Sequence, residues 1–317
     1  MYRVANLINQ KGQGVSKNDW SGVLTAAITP FDADGQVDEK ALHAHLDRML
    51  AAGVAGFVVS GSTGEYYSMS ADERKALFSL VADRYGDRAM LIAGTSSLNH
   101  ADTLELTRHA KEIGFDGCML LPPVYCLPTA AEIRAAVAEV AGIGLPVMLY
   151  NNPARVGVNL TPALTAELAA IPNVVAYKES ARDLYAVAET YYATRDKLRH
   201  FAGLEPYLSS LLSRGASGSV STISNICAAE VVATYDAYRA GDLEEMSRNQ
   251  QIIDQLYHLM ARSGLSNFAF VKAGMAALGL NGGTVRRPHK AAEAEAIAEI
   301  GKGIRAIYAA AGKAVPQ

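Results

Sequence analysis

The amino-acid sequence predicts an α/β fold: a single (β/α)8 TIM barrel with additional C-terminal helices. From Val23 onward, short apolar and β-branched runs alternate with helix-length segments rich in Ala, Leu, Glu and Arg. That alternation is the pattern of a parallel sheet wrapped by helices. Eight such runs occur, the number that closes a barrel, whereas an open doubly wound sheet more often stops at about five or six. The chain of 317 residues is long for one ordinary domain and suits one barrel of about 250 residues with extra terminal helices.

Expected strands cover residues 23–29, 56–60, 90–93, 117–121, 147–150, 174–177, 200–202 and 218–220. The helices between them carry start signals. Asp38 precedes Glu39 as an N-cap, and Ser70-Ala-Asp-Glu73 and Thr129-Ala-Ala-Glu132 have the spacing of a capping box, in which the first side chain and the fourth satisfy each other's backbone N–H. Thr161 and Pro162 open the helix after the fifth strand. Beyond the eighth strand, residues 227–240, 243–263, 268–278 and 291–311 read as helices, more than a barrel requires. Residues 1–18, with Gly12, Gly14, Ser16 and several polar side chains, are expected to be a flexible leader. Residues 19–235 are then the barrel and 236–317 a helical region packed on it, with no composition break between them.

Composition narrows the function classes. Half the residues are hydrophobic, and the formal net charge is -3 with a pI near 6.2. With neither a basic patch nor basic and aromatic residues interleaved, nucleic acid is not an expected partner. Three cysteines, Cys118, Cys126 and Cys227, form an odd set without CxxC spacing, which favours free thiols in a reducing compartment. No signal-peptide core and no apolar run of about 18 residues occurs. A cytoplasmic protein without membrane partners is expected. His43 and His45 are two apart on an expected helix and so face different ways, a poor metal pair; no metal site is expected.

In a parallel barrel, chemistry sits where strands end. Lys178 closes the apolar run Asn173-Val-Val-Ala-Tyr-Lys178. Desolvating an ammonium there is costly and favours the neutral amine, the form that attacks a ketone carbon to give a Schiff base; a solvated terminus or an ion pair is the structural alternative. The second strand ends in Ser60-Gly-Ser-Thr-Gly-Glu65, where Gly61, Ser62 and Thr63 can form an anion cradle of N–H groups and hydroxyls. A carboxylate fits it better than a pyrophosphate, because no GxGxxG or Walker pattern is present; an ordinary glycine turn is the alternative. The fourth strand leads into a stiff loop that aims Tyr125, and the fifth ends in Tyr150-Asn-Asn-Pro-Ala-Arg155. Tyr150, Tyr125 and Lys178 come from three strand ends and can converge on one pocket, where an ordered phenol passes protons. Arg155 offers a planar fork for a carboxylate or hydroxyls, or else a salt bridge within its loop. Glu65 and Glu179 are read as turn and ion-pair residues.

Gly61-Ser-Thr-Gly-Glu65, Tyr150-Asn-Asn-Pro153 with Arg155, and Lys178-Glu-Ser180, in that order and with Lys178 28 residues after Tyr150, resemble the dihydrodipicolinate synthase and N-acetylneuraminate lyase superfamily. The resemblance runs from about residue 21 to Pro288 and includes Gly283-Thr-Val-Arg-Arg-Pro288. It implies a (β/α)8 barrel with C-terminal helices, a homotetramer built as a dimer of dimers, and no cofactor. It further implies that Lys178 forms an imine with pyruvate or another 2-oxo acid, that Ser62 and Thr63 hold the carboxylate, and that Tyr150 moves the proton at the reacting carbon. Tyr125 matches a tyrosine that synthase members donate across the tight dimer interface.

The chain departs from the synthase pattern in Ser62, where a threonine is usual, and in Val124, where a tyrosine is usual; Cys126 and Leu127 make the same loop more apolar. Ser62 is similar to the lyase and sugar-acid branches. Arg155 resembles the synthase pattern, in which it holds the second substrate's carboxylate, and Glu205 sits where lyases place an acid for substrate hydroxyls. The expected function is therefore a class I, Schiff-base-forming lyase. It acts as an aldolase or dehydratase on a 2-keto-3-deoxy sugar acid or similar hydroxylated 2-oxo acid, with an aldehyde as possible second partner. The alternative is a 4-hydroxy-tetrahydrodipicolinate (dihydrodipicolinate) synthase condensing pyruvate with aspartate semialdehyde. A cyclic-imine deaminase and a non-turnover 2-oxo acid binder stand behind these.

Overall fold

Eight parallel strands close into a ring in sequence order: β1 (Gly22–Ala26), β2 (Gly56–Val59), β3 (Met90–Gly94), β4 (Gly117–Leu120), β5 (Val147–Asn151), β6 (Val174–Glu179), β7 (Arg199–Ala202) and β8 (Gly218–Ser221). The computed structural model describes residues 20–316, so the expected leader lies outside the described residues. Side chains alternate across each strand, as the period of two requires. Leu24, Val58, Ile92, Met148, Ala176 and Phe201 fill the barrel interior. Their neighbours Val23, Phe57, Leu91, Val147, Tyr177 and Ala202 pack outward under the helices. Ring closure depends on the β8 to β1 seam, where Gly218 faces Gly22; a Cβ on Gly218 would lie 1.9 Å from the Gly22 carbonyl oxygen.

The helix signals act as the sequence implies. Both capping boxes form, at Ser70 for helix Ala71–Tyr85 and at Thr129 for helix Ala130–Gly142. Asp38 accepts from Ala41 N, and Thr161 caps the helix that Pro162 opens. Two strand ends differ from expectation by more than one residue. β1 stops at Ala26 because Ile28 N turns away to the Asn225 side chain, 3.2 Å, and Thr29 Oγ1 to the Gly64 carbonyl, 2.8 Å. β6 runs two residues further than expected, because Lys178 and Glu179 pair with Tyr150 and Asn151 on one side and with Phe201 and Ala202 on the other. Lys178 is thus held within the ladder rather than beyond it.

Helices Ser224–Ala240, Leu243–Arg262, Asn267–Ala277 and Ala294–Ala310 form the C-terminal part. The first begins three residues before the expected Cys227, which is itself a kink with φ -117° and ψ 53°. It also contains residues 235 and 236, so the barrel passes into the helical region inside one helix. Among the described residues no helix is long and apolar enough to cross a membrane. Cys118, Cys126 and Cys227 are all free thiols, and only Cys126 is exposed.

The seam yields a stability prediction. Gly218→Ala forces β1 and β8 apart and should cost at least about 1–3 kcal/mol, read as a lowered midpoint in thermal unfolding. An unchanged midpoint would mean that the seam relaxes at no cost.

Candidate active site

The inner face of β6 carries Ala176 and then Lys178; that of β5 carries Met148 and then Tyr150. The register pairs Tyr150 with Lys178, so the amine and the phenol meet at the C-terminal mouth of the barrel. Lys178 Nζ stands 4.0 Å from the centre of the Tyr150 ring, and each residue is only 4% exposed. They border a cavity of about 400 Å³.

The phenol is tuned by its neighbours. Asn152 Nδ2 donates to its oxygen at 2.7 Å. Burial acts to raise the Tyr150 pKa, but the charge on Lys178, the Asn152 amide, the nearby Ser180 hydroxyl and the Arg155 guanidinium outweigh burial and leave it below the ordinary tyrosine value. Ser180 Oγ is buried, lacks a hydrogen-bond partner among the described residues and borders the cavity. The space for these groups comes from Gly203: a Cβ there would sit 2.2 Å from Ser180 Oγ and 3.0 Å from Lys178 Cε.

Gly61, Ser62 and Thr63 line the same cavity, in a turn bracketed by two non-glycine residues in the left-handed region, Ser60 (φ 55°) and Glu65 (φ 57°). Each such residue costs of order 1 kcal/mol and persists only where its surroundings enforce it. Two buried cations supply that enforcement. Arg74 donates to Ser60 Oγ at 3.0 Å and also to the carbonyls of Ser96 and Gly94. Lys272, from helix Asn267–Ala277, pairs with Glu65 Oε1 at 2.6 Å and donates to the Thr29 and Thr284 carbonyls. Arg286 N donates to the other Glu65 oxygen. In front, Thr63 Oγ1 is 3.0 Å from Thr222 Oγ1.

Glu65 has the turn and ion-pair task expected of it, whereas Glu179 makes no ion pair among the described residues and is held by neutral donors instead. Glu179 accepts from Tyr177, Asn151 and Ala181 N on the outer face of the barrel. Glu205 does border the cavity, but its Oε1 is occupied by Ser221 Oγ, Thr222 N and Ile223 N, leaving only Oε2 without a partner among the described residues. Arg155 lines the cavity and is not used in a salt bridge within its loop. The convergence of all three expected residues is corrected in one respect. Tyr125 is 88% exposed, sits at a positive φ of 72° and does not border the cavity of its own chain, because the proline-rich loop after β4 throws it outward.

Sequence reasoning missed Arg74, Lys272, Thr222, Gly203 and a second cavity arginine, Arg182. Lys272 carried a usable signal, a lone cation in Phe268-Ala-Phe-Val-Lys-Ala-Gly-Met275. Thr222 and Gly203 had none that composition could expose.

The Dihydrodipicolinate synthetase family matches residues 19–307. The chain belongs to this family. A DapA-like lyase of Rhizobium meliloti, uncharacterized, is 45% identical to it over 289 residues, 91% of this chain and 96% of the relative. The 4-hydroxy-tetrahydrodipicolinate synthase 1 of Streptomyces coelicolor is 36% identical, across 87% of this chain and 90% of its own length. Among solved structures, YagE of E. coli K12, a prophage protein of the dihydrodipicolinic acid synthase family in complex with pyruvate, superposes with a TM-score of 0.87 at 27% identity, covering 91% of this chain and 98% of YagE. Membership of the Dihydrodipicolinate synthetase family supports an aldolase-like class I lyase.

Two outcomes follow from the geometry. Lys272→Met strands Glu65 as a buried unpaired charge and should cost about 3–5 kcal/mol, whereas Glu65→Leu combined with Lys272→Met should recover much of that loss; paired denaturant titrations measure both. Asn152→Ala removes a donor to the Tyr150 oxygen and should move that phenol's titration upward in an ultraviolet pH titration referenced to Tyr150→Phe. A titration that stays in place would remove Asn152 from the tuning of Tyr150.

Proposed function

We propose that the protein is a catabolic lyase that binds pyruvate or a related 2-oxo acid as an imine on Lys178, and that its substrate is a hydroxylated 2-oxo acid cleaved or dehydrated through that imine. The observation that carries this reading is the register pairing of Tyr150 with Lys178, which sets Nζ 4.0 Å from the phenol ring opposite a cradle of hydroxyls. The neutral amine adds to C2, water leaves, and the protonated imine becomes an electron sink. In cleavage, Tyr150 takes the proton from the C4 hydroxyl, the C3–C4 bond breaks, and its electrons enter the imine to give an enamine and a free aldehyde. Protonation of C3 and hydrolysis then return pyruvate and the lysine. Ser62 and Thr63 would hold the acid's carboxylate, with Gly61 giving the backbone close approach, and Glu205 Oε2 would reach a substrate hydroxyl. No cofactor or metal enters this scheme.

A second reading, condensation of pyruvate with aspartate semialdehyde, is supported by Arg155, which lines the cavity with no hydrogen-bonded or ion-paired partner among the described residues, and by the similarity to the Streptomyces coelicolor synthase. Deamination of a cyclic imine uses the same electron sink. A 2-oxo acid binder without turnover would saturate with pyruvate yet never exchange its methyl protons with solvent. We further propose a homotetramer in the cytoplasm in which Tyr125, exposed beside Leu127, reaches the site of a neighbouring subunit.

Borohydride reduction in the presence of pyruvate should add one pyruvate-derived mass to the protein and none to Lys178→Ala, by intact mass spectrometry. Tyr150→Phe should still trap pyruvate but turn substrate over about 10²–10⁴ times more slowly. Full turnover by Lys178→Ala would sink the imine mechanism.

A further inference from the structure

The cavity carries more positive charge than an imine with one carboxylate needs. Its charged lining residues are Lys178, Arg155, Arg182 and Glu205, three cations against one anion. Once Lys178 is a protonated imine and the 2-oxo acid's own carboxylate is seated, one positive charge is left uncompensated at the mouth of the barrel.

That excess has a location. Arg182 lies four residues after Lys178 in the loop leaving β6, and Arg155 lies in the short helix Pro153–Val156 that follows β5. In the closed ring β6 is opposite β2, whose end carries Ser62 and Thr63. Among the described residues neither guanidinium has a hydrogen-bonded or ion-paired protein partner, although Arg74 and Arg286 elsewhere are fully engaged. Both act on one phenol that borders the cavity, Tyr257: burial and Glu205 raise its pKa, and Arg182 and Arg155 oppose them. Arg155 and Arg182 are themselves exposed, whereas apolar Met119, Leu204, Met260 and Phe268 line other parts of the wall.

We infer that Arg182 is a specificity residue which, together with Arg155, binds a second carboxylate at the far end of the substrate, so that the natural substrate is a dicarboxylic 2-oxo acid. This assignment rests on the imine reading. One carboxylate lies in the hydroxyl cradle at β2, the ketone carbon is on Lys178, and the distal carboxylate is held between the segments that follow β5 and β6. A guanidinium suits that task because its planar fork meets both carboxylate oxygens.

The test compares 2-oxoadipate with 2-oxohexanoate, acids of equal carbon count that end in a carboxylate and a methyl group. Each is trapped on the whole protein with borohydride, and its half-trapping concentration is divided by that of pyruvate in the same protein. The dicarboxylate should be favoured by about tenfold or more, and the preference should shrink as salt is added. Arg182→Gln should reduce it several-fold, and Arg182→Lys should restore part of it. A wild-type preference near one, or one that Arg182→Gln leaves in place, overturns the assignment. Because pyruvate is the internal reference, general damage to the site moves both acids together and counts against a distal role. Failure of the wild-type protein to trap pyruvate at all overturns the imine reading, and this one with it; trapping of pyruvate without a charge preference overturns this one alone.

Discussion

The ion pair between Glu65 and Lys272 is the constraint on which the site depends. It is buried, at 0% and 4% exposure of the two side chains, and its atoms are 2.6 Å apart. Taking both charges out of water is costly, and such a pair is tolerated only where further hydrogen bonds complete it. Here the Thr29 and Thr284 carbonyls and the Arg286 N–H do so. The result is a fixed connection between a helix outside the barrel and the left-handed turn that presents Ser62 and Thr63. Arg74 holds the other end of that turn, so two unfavourable backbone conformations are maintained by groups that never touch the cavity.

Rigid and adaptable parts of the site are separated. Lys178 and Tyr150 stand on neighbouring strands, where ladder bonds and packed cores on both faces fix their relative position. Arg182 and Tyr125 stand on loops and Arg155 on the short helix Pro153–Val156, all outside the ladder, where side chains can change without disturbing the barrel. In the proposed function the first group does the chemistry and the second reads the substrate.

Much of this was legible in the sequence. The eight strands follow from apolar runs spaced by helix-length segments, and the helix starts from Ser70, Thr129 and Thr161, because both signals are local. Lys178 stood out as a cation in an apolar run. Lys272 obeyed the same rule and was passed over, because it lies in a helix rather than at a strand end and its partner is 207 residues away. The extension of β6 was hidden for a related reason: whether Lys178 and Glu179 join the ladder depends on β5 and β7, not on their own composition. The outward placement of Tyr125 is set by backbone angles in the Pro122–Pro128 loop that residue type alone does not fix.

The long span between Glu65 and Lys272 bears on how the protein is made. Chains emerge from the ribosome N-terminus first and fold as they lengthen. The turn bearing Ser62 and Thr63 is synthesised early, and the seam can close once residue 221 is available. At that stage all eight strands exist, yet the cation that satisfies Glu65 does not, so the carboxylate stays hydrated and its turn unlocked. The helix that holds Lys272 thus serves as a completion signal: the turn that is translated first gains its buried partner only when residue 272 has been produced.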